Sequence, residues 1–472
     1  AAVMPAGGAE ARTAQLTELD LIQHECMADA ELADLLDSAE AARADLNPWQ
    51  NSNLTEMRLR WSHANALPAD LVAALSNAAA NCEMVWREAR ASSDFAAFCR
   101  AFEPLLVLVR EKAAAKSAAL GLAPYDALID GYDPGFRSAE IDGIFADLGI
   151  FLPEFLAQVL EKQARDAAPL QPDGPFPIAR QRALSQTLME KIGFDFAHGR
   201  LDESHHPFCG GVSEDVRITT RYDESDFASS VMAVLHETGH ALYERGLPRD
   251  WRNQPVGEAR SMSLHESQSL LMEMQACRSA EFFQFAAPLM RDAFDHPGPE
   301  AADVFAPENL HRMAVHVAPG FIRVDADEVT YPAHIMLRYR LEKAMIAGDL
   351  QAPDIPDAWQ QGMQEFLGLT PGNHAEGCLQ DIHWACGDVG YFPSYTLGAL
   401  IAAQLFDCAS REIGSLRPTL SEGDFAPLLT WLGEKIHSQA SRYSSHELIE
   451  RATGQALSAD AFKAHLKMRY LG

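Results

Sequence analysis

Apolar residues recur every three or four positions along most of this chain, a spacing that predicts amphipathic helices. The first third holds five such segments, rich in alanine and flanked by charge: Thr13–Leu36, Thr55–Ala66, Pro68–Ala91, Asp94–Leu120 and Ser138–Ala164. The same period returns later over Ala179–Gly193, Arg260–Phe285 and Pro307–Val317. The remaining third is helical again, apart from one loop at residues 372–395. The pattern therefore predicts a mainly α protein.

Residues 194–222 carry several β-prone features that the rest of the chain lacks. Within them Val216–Tyr222 alternates between apolar and polar positions and is rich in β-branched residues, which predicts a strand. A helix then begins, capped by Ser225 or Asp226, and Gly246 is its natural end. The sequence thus predicts one small sheet whose last strand leads into a helix.

That helix contains the pattern H-E-x-x-H, formed by His236, Glu237 and His240. Because a helix turns by about 100° per residue, the two histidines lie on one face, one turn apart. Neutral imidazoles at this spacing can hold one zinc ion, and Glu237 can reach a water molecule bound to the same ion. The structural alternative is a buried amphipathic helix whose histidines make hydrogen bonds in the core.

A catalytic zinc site needs a third protein ligand from a separate element and one open position for water. Glu266 lies 26 residues beyond His240, near the start of the next predicted helix, and an antiparallel helix pair can bring it to the histidines. The alternative for Glu266 is a carboxylate that stabilises the first turn of its helix through the helix dipole. His265 is a second candidate ligand, and a hydrogen-bonding role in the pocket is its alternative.

The chemistry expected of such a site also needs a base and an oxyanion donor. Zinc lowers the pKa of a bound water molecule toward about 7, and a nearby carboxylate takes the proton as that water attacks a carbonyl. Glu237 is placed for this role and for delivering the proton to the leaving amine. A tyrosine hydroxyl or a histidine N–H suits the oxyanion. The late part of the chain offers three candidates: Tyr395, Tyr391 and His383.

The chain is strongly acidic: 38 Lys and Arg stand against 67 Asp and Glu, which gives a formal net charge of −29. This charge disfavours binding to nucleic acids and to anionic membranes. The eight cysteines form no C-x-x-C pair, so we expect reduced core thiols. The sequence has no apolar stretch of about 18 residues and no recognisable signal peptide, so we expect a cytoplasmic protein.

Further motifs stand in order along residues 206–384. They are His206-Pro207-Phe208, Asp215-Val216-Arg217-Ile218-Thr219, His265-Glu266-Ser267-Gln268-Ser269, Ile322-Arg323-Val324-Asp325-Ala326-Asp327-Glu328, Thr330-Tyr331-Pro332-Ala333-His334-Ile335 and Gly377-Cys378-Leu379-Gln380-Asp381-Ile382-His383-Trp384. Together with H-E-x-x-H, this set resembles the HPF, DxRxT, HExxH, HES, IRxxADE and GxxQDxHW motifs of the carboxypeptidase Taq family, the thermostable metallocarboxypeptidases. One position departs from the family pattern, because Leu270 stands where an arginine often follows the HES motif.

The resemblance implies that His236, His240 and Glu266 hold the metal and that Glu237 is the general base and acid. It implies a carboxypeptidase that releases single residues from peptide C-termini, zinc as the usual metal with cobalt as a possible substitute, and a homodimer. The implied fold is neurolysin-like, elongated and helical, with a deep central groove. It forms a single catalytic domain over residues 1–472, with the metal site within about residues 200–400.

An exopeptidase of this kind needs a cation for the terminal carboxylate, and the planar fork of an arginine suits it. Arg323 is the first candidate and Arg217 the second. An ion pair with Asp325 or Asp327 is the alternative for Arg323, and a salt bridge on the strand surface is the alternative for Arg217. The motifs supply further candidates for substrate binding: His206, His265, Tyr331 and His383.

Three functional hypotheses follow. The first is a zinc carboxypeptidase that trims peptide C-termini. The second is a related helical gluzincin oligopeptidase that uses the same metal triad to cut inside short peptides, and a C-terminal amide distinguishes the two. The third is a non-catalytic scaffold with a structural metal. Glu237 argues against the third, because holding zinc does not require that residue.

Overall fold

The structure, a computed structural model, describes residues 6–204, 206–294 and 304–472. It is 70% helical, with one small three-stranded sheet among these residues, so the predicted mainly α fold is confirmed. The elements in chain order are α1 (Ala9–Met27), α2 (Ala30–Ala41), α3 (Pro48–Asn65), α4 (Ala69–Ser92), α5 (Phe95–Leu120), α6 (Pro124–Ile129), α7 (Ser138–Gln163), α8 (Ile178–Ile192), β1 (Gly199–Glu203), β2 (Phe208–Val212), β3 (Asp215–Thr220), α9 (Phe227–Gly246), α10 (Met262–Leu270), a π-helical segment (Leu271–Cys277), α11 (Ala280–Phe294), α12 (Pro307–Ala314), α13 (Tyr331–Ala347), α14 (Ile355–Leu367), α15 (Pro393–Ile413), α16 (Leu416–Ser421), α17 (Ala426–Lys435), α18 (Ser445–Thr453) and α19 (Asp460–Leu471).

The first helices differ from their predicted bounds because of capping side chains. Asp29 accepts a hydrogen bond from the backbone at the start of α2, so the predicted helix Thr13–Leu36 is divided in two. Asn47 and Gln50 form a reciprocal capping box at the start of α3, which therefore begins seven residues before Thr55. The spacing of apolar residues along the chain does not reveal these short-range polar contacts.

The described residues form two compact units, here called the first unit and the second unit. The predicted groove, the elongated shape and the single catalytic domain stay predictions. The described parts of residues 1–153, 319–326 and 330–393 make up the first unit, and those of 154–318, 327–329 and 394–472 make up the second.

The sheet lies in the second unit and packs against α9. Its strand order is β1-β3-β2, with β1 parallel and β2 antiparallel to the central strand β3. Val216 and Ile218 of β3 are buried in one cluster with Val234 and Ala241 of α9, whereas Arg217 between them is exposed. The predicted strand in front of the H-E-x-x-H helix is therefore confirmed, and its alternation fixes which face meets that helix.

The predicted continuous helix Arg260–Phe285 is wrong. The chain forms α10, then the π-helical segment, and then α11, which begins where the Ser279 hydroxyl accepts a hydrogen bond from the backbone of Phe282. A π-helical turn adds a residue while the apolar period continues, so the sequence pattern does not reveal it. This segment carries Glu273, which contributes to the site described below.

One described helix, Ser138–Gln163, is long and apolar enough to cross a membrane by length and composition alone, with a mean hydropathy of 1.5 in its most apolar window. Only 28% of that window is buried. A single helix of this kind is weak evidence, because a core helix of a soluble protein meets the same criterion. The expectation of no membrane association stays a prediction.

Candidate metal centre

Helix α9 holds three of the predicted site residues. Its first turn is capped by Asp226, whose carboxylate accepts hydrogen bonds from two backbone N–H groups, so Asp226 rather than Ser225 is the N-cap. Burial of one face against the sheet fixes the rotation of the helix about its axis. His236 and His240 therefore lie on one side with ring centroids 5.1 Å apart, and the Glu237 side chain is buried beside them.

Glu266, on α10, brings a carboxylate oxygen to both histidines. Its Oε2 lies 3.4 Å from Nε2 of His240 and 3.8 Å from Nε2 of His236, and the three ligand atoms all lie within 4.8 Å of one another. Bonds of about 2.0–2.2 Å at tetrahedral angles place ligand atoms about 3.3–3.5 Å apart. Two imidazole nitrogens and one carboxylate oxygen at these separations fit a single divalent metal ion.

Two glycines allow α10 to come this close. A Cβ added to Gly239, within the H-E-x-x-H pattern, would overlap the backbone carbonyl oxygen of Gln268 on α10. A Cβ added to Gly398, on α15, would lie 2.9 Å from both Cβ and Cγ of Glu266. Because helix backbones approach one another most closely where side chains are absent, these glycines set the position of the Glu266 carboxylate.

A buried carboxylate orients the first histidine. Nδ1 of His236 lies 2.9 Å from Oε2 of Glu273, and the other oxygen of Glu273 accepts a hydrogen bond of 2.8 Å from Arg278. A carboxylate only accepts, so Nδ1 carries a proton, and Nε2 is the nitrogen whose lone pair would hold a metal ion. Partners of this kind fix the tautomer and orientation of metal-binding histidines.

The second histidine has a different partner. Nδ1 of His240 lies 2.6 Å from Nδ1 of His265, and Nε2 of His265 lies 2.8 Å from Oε1 of Glu244. Because Glu244 is an acceptor, His265 donates through Nε2, and a neutral His265 then accepts a hydrogen bond from Nδ1–H of His240 at its own Nδ1. His265 therefore contacts a predicted ligand rather than adding one, and its predicted contact with substrate stays a prediction.

Burial and charge act in opposite directions on the pKa values of the three predicted ligands. Burial raises the pKa of Glu266, but His236 and His240 lower it more strongly, to about 2. Burial lowers the pKa of His236, yet Glu266 and Glu273 raise it to about 10. Burial lowers the pKa of His240 to about 4. The carboxylates that favour a proton on His236 favour a divalent cation for the same electrostatic reason.

Glu237 has the environment of a general base. Its side chain is buried, and burial together with the charge of Glu266 raises its pKa to about 7, although His236 acts in the opposite direction. A base whose pKa is close to the working pH combines the correct protonation state with a useful proton affinity. The position and the pKa of Glu237 are therefore consistent with its predicted role.

The exposed side of the sheet carries Arg217 and His206. The guanidinium of Arg217 donates to Asp215 over 2.6 Å and 3.1 Å, and the Arg217 side chain is 60% exposed. The structural alternative, a salt bridge on the strand surface, is thus present. His206 is exposed in the connection before β2, where its backbone carbonyl accepts a hydrogen bond of 2.9 Å from Thr219.

Tyr395 lies on the first turn of α15 and is half-buried. Gly398, which contacts Glu266, follows it by three residues, so both positions share one face of the helix. The predicted role of Tyr395 in oxyanion stabilisation stays a prediction. Leu270, the departure from the family pattern, is buried and apolar, so no charge is supplied from that position.

Arg323 and Tyr331 belong to the first unit, where Arg323 is buried in an ion-pair cluster. Its Nε donates to Asp381 over 2.9 Å, its Nη1 donates to the Tyr331 hydroxyl over 2.7 Å, and Arg338 donates to the second oxygen of Asp381 over 2.6 Å. Arg323 therefore forms an ion pair with Asp381. The expected partners for such an ion pair were Asp325 and Asp327.

His383 and Tyr391 also lie in the first unit. The His383 ring packs against Phe392 and Tyr391, with centroid distances of 4.6 Å and 5.5 Å. Burial lowers the pKa of His383 to about 4, so the ring is neutral at pH 7. The predicted substrate contacts of His383, Tyr331 and Arg323 stay predictions.

Several residues around the metal centre were missed by the sequence analysis. Glu244 follows His240 by four residues, which is one turn of α9, so its position on the same side of the helix was a usable indication. Glu273 follows Glu266 by seven residues, but the chain becomes π-helical at Leu271, so regular helical spacing did not locate it. For Gly398, which is 132 positions beyond Glu266, the sequence contains no local indication.

Comparisons with known proteins identify the family of this chain. Residues 1–470 match the family described as Carboxypeptidase Taq (M32) metallopeptidase. The chain is 39% identical to thermostable carboxypeptidase 1 of Thermus thermophilus, over 99% of this chain and 92% of that protein, and 36% identical to carboxypeptidase 1 of Bacillus subtilis, over 82% and 76%.

Solved structures give the same result. The structure of Trypanosoma cruzi metallocarboxypeptidase 1 is similar with a TM-score of 0.95 and 41% identity, over 100% of this chain and 94% of that one. A structure of Pyrococcus furiosus carboxypeptidase is similar with a TM-score of 0.92 and 32% identity, over 99% and 93%. With this sequence match spanning nearly every residue, the chain belongs to the carboxypeptidase Taq (M32) family and is a metallocarboxypeptidase.

Proposed function

We propose that this enzyme releases single amino acids from the C-termini of peptides with one zinc ion held by His236, His240 and Glu266. The observation that carries the proposal is the meeting of these three side chains at separations that suit one ion. When bound, zinc makes a water molecule more acidic and polarises the carbonyl of the scissile bond. Cobalt prefers similar ligands and is a possible substitute.

Glu237 moves the proton in this proposal. Its carboxylate accepts a proton from the attacking water and donates it to the nitrogen of the leaving amino acid. Burial of the side chain and a pKa of about 7 support both halves of the task, because the group accepts and releases a proton near neutral pH. Tyr395 stabilises the oxyanion with its hydroxyl, and its position one turn before Gly398 supports this assignment.

An arginine recognises the free carboxylate of the peptide. Arg217 is the candidate within the same unit as the metal ligands, and its exposed guanidinium can exchange Asp215 for a substrate carboxylate. Arg323, the first candidate from sequence, already donates to Asp381 and Tyr331. Replacement of each arginine by lysine, with KM measured on one N-blocked dipeptide, ranks them, because lysine keeps the charge but loses the bidentate fork.

The endopeptidase alternative is not favoured, since the relatives described above are named carboxypeptidases. The decisive experiment is mass spectrometry of a peptide before and after digestion, with the C-terminus either free or amidated. Stepwise loss of residues from the free C-terminus only, abolished by chelator and restored by zinc, is the expected result. Internal cleavage of the amidated peptide contradicts the proposal.

The remaining parts of the proposal concern the setting of the enzyme. It acts in the cytoplasm as a homodimer and binds neither nucleic acid nor membrane. The net charge of −29 supports the last two statements, because phosphate-rich surfaces repel such a protein. Light scattering after size-exclusion chromatography tests the dimer, and flotation with anionic vesicles tests the absence of membrane binding.

A further inference from the structure

The two histidines of the metal centre are held by partners of different kinds. His236 is bonded directly to the carboxylate of Glu273, whereas His240 is bonded to the imidazole of His265, which is in turn bonded to Glu244. We infer that His265 and Glu244 are positioning residues that fix the ring of His240 for metal binding. This inference rests on the proposed metal site and adds two residues to it.

When His265 is neutral, one arrangement of protons fits the contacts of the three side chains. Glu244 accepts, so Nε2 of His265 is the donor to it over 2.8 Å. A neutral His265 then has a lone pair at Nδ1, which accepts from Nδ1–H of His240 over 2.6 Å. The reverse tautomer of His265 directs two N–H groups at each other and a lone pair at a carboxylate. In this arrangement Nε2 of His240 carries no proton, and it lies 3.4 Å from Oε2 of Glu266.

The contacts of the His265 ring also support its role in positioning His240. Both of its ring nitrogens are within hydrogen-bond distance of protein groups, and its ring packs against His240 and Tyr243 with centroid distances of 4.6 Å and 5.5 Å. Its side chain is 19% exposed and that of Glu244 is 28% exposed. A carboxylate that acts through an imidazole raises the electron density of the far ring, so His240 becomes a better metal ligand.

The sharpest variants alter one link at a time. His265→Phe keeps a ring of similar size and removes the acceptor, whereas His265→Asn places an amide oxygen where Nδ1 stood and restores the acceptor. Glu244→Gln removes the charge and keeps the shape. Two substitutions at exposed positions of the same unit, His316→Asn and Glu434→Gln, serve as matched controls.

The readout is metal binding by the full-length protein, measured as the zinc Kd against a competing chelator and as the visible spectrum of the cobalt form. His265→Phe is expected to weaken zinc binding about 10- to 100-fold. Glu244→Gln weakens it less, and His265→Asn recovers most of the affinity. The double variant His265→Phe and Glu244→Gln binds no more weakly than His265→Phe alone, because Glu244 acts through His265.

Each outcome decides the inference. Zinc affinities and cobalt spectra of His265→Phe and Glu244→Gln that match the two controls overturn it, and so do fully additive losses in the double variant. If His265→Phe does not fold, Glu244→Gln and His265→Asn against the controls carry the decision. An unchanged zinc affinity in the His236→Ala variant contradicts the proposed metal site itself. That result is distinct from a failure of the inference about His265 and Glu244.

Discussion

Oε2 of Glu273 lies 2.9 Å from Nδ1 of His236, and this contact links the π-helical segment to the metal centre. Arg278 holds the other oxygen of Glu273 at 2.8 Å, so the carboxylate is fixed from both sides. A regular α-helix through residues 271–277 would rotate Glu273 to a different angle about the helix axis. The irregular turn is therefore part of how the sequence orients its first metal ligand.

Replacement of Glu273 by glutamine is expected to weaken zinc binding about 10- to 100-fold. Glutamine keeps an acceptor oxygen but loses the charge that favours a cation on His236. Competition with a chelator gives the zinc Kd, and circular dichroism shows whether the variant is folded. Glu434→Gln is the matched control at an exposed position. An unchanged Kd in a folded Glu273→Gln protein would contradict this role.

Replacement of Glu237 by glutamine is expected to abolish peptide hydrolysis while zinc binding is retained. The amide side chain has a similar shape but cannot take a proton from water. Measurements of kcat and of bound zinc in the same sample separate the two effects. Loss of zinc together with activity would instead make Glu237 a structural part of the site.

The pH dependence of the wild-type enzyme follows from the same residue. Burial raises the pKa of Glu237 to about 7, so the carboxylate is the active form above this pH and is lost as the pH falls through it. A bound cation lowers this pKa again, because positive charge favours the ionised form. The acid limb of kcat/KM should therefore lie at or below about pH 7. Zinc content must be checked at every pH, since the histidines release metal when protonated.

The sequence was sufficient for the chemistry that lies within one helix. His236, Glu237 and His240 are separated by whole turns or single steps, so helical geometry alone relates them. Glu266 was also accessible, because a catalytic metal needs a third ligand and the next helix offered one. By contrast, Arg323 was expected near Asp325 or Asp327, and its partner Asp381 is 58 positions away. Long-range pairing of this kind depends on tertiary packing that no local pattern contains.

The interruption after α10 shows a second limit. The apolar period over Arg260–Phe285 predicted one helix, but residues Leu271–Cys277 form a π-helix, in which i→i+5 hydrogen bonds replace the α-helical ones. Gly398 shows a third limit, because its importance depends on which residue of another helix it meets. Capping side chains such as Asp29 and Asn47 were visible in the sequence, but several polar residues compete for each boundary.

Replacement of Gly398 by alanine is expected to weaken zinc binding at least tenfold. The new Cβ would lie 2.9 Å from Cβ and Cγ of Glu266, whereas such carbons prefer about 3.5–4.0 Å. Glu266 must then move by more than the roughly 0.2 Å that a metal site tolerates. Gly433→Ala is the matched control, since its Cβ meets nothing within 4 Å and alanine favours a helix. Equal zinc affinities in the two variants would contradict the role of Gly398.

Because of Glu328, the free energy of unfolding of the second unit should fall at acid pH. Its buried carboxylate accepts hydrogen bonds from His465 and Arg469, both over 2.9 Å, and from the Tyr470 hydroxyl over 3.1 Å. Although burial alone raises the pKa of Glu328, His465 and Arg469 lower it to about 2, from an ordinary value of 4.5. A lowered pKa stabilises the folded state above pH 4.5, and this contribution is lost as the pH falls toward 2.

The shift corresponds to about 3 kcal/mol, so Glu328→Gln should be less stable than the wild type by several kcal/mol near pH 6. The difference should shrink as the pH falls from 5 to 3, because the Glu328 carboxylate of the unfolded wild-type chain then gains a proton, which stabilises the unfolded state relative to the folded one. Denaturant unfolding at each pH gives both free energies of unfolding, and Glu434→Gln shows the effect of removing an exposed carboxylate. A difference that stays constant from pH 6 to pH 3 would show that Glu328 contributes through packing rather than through its charge.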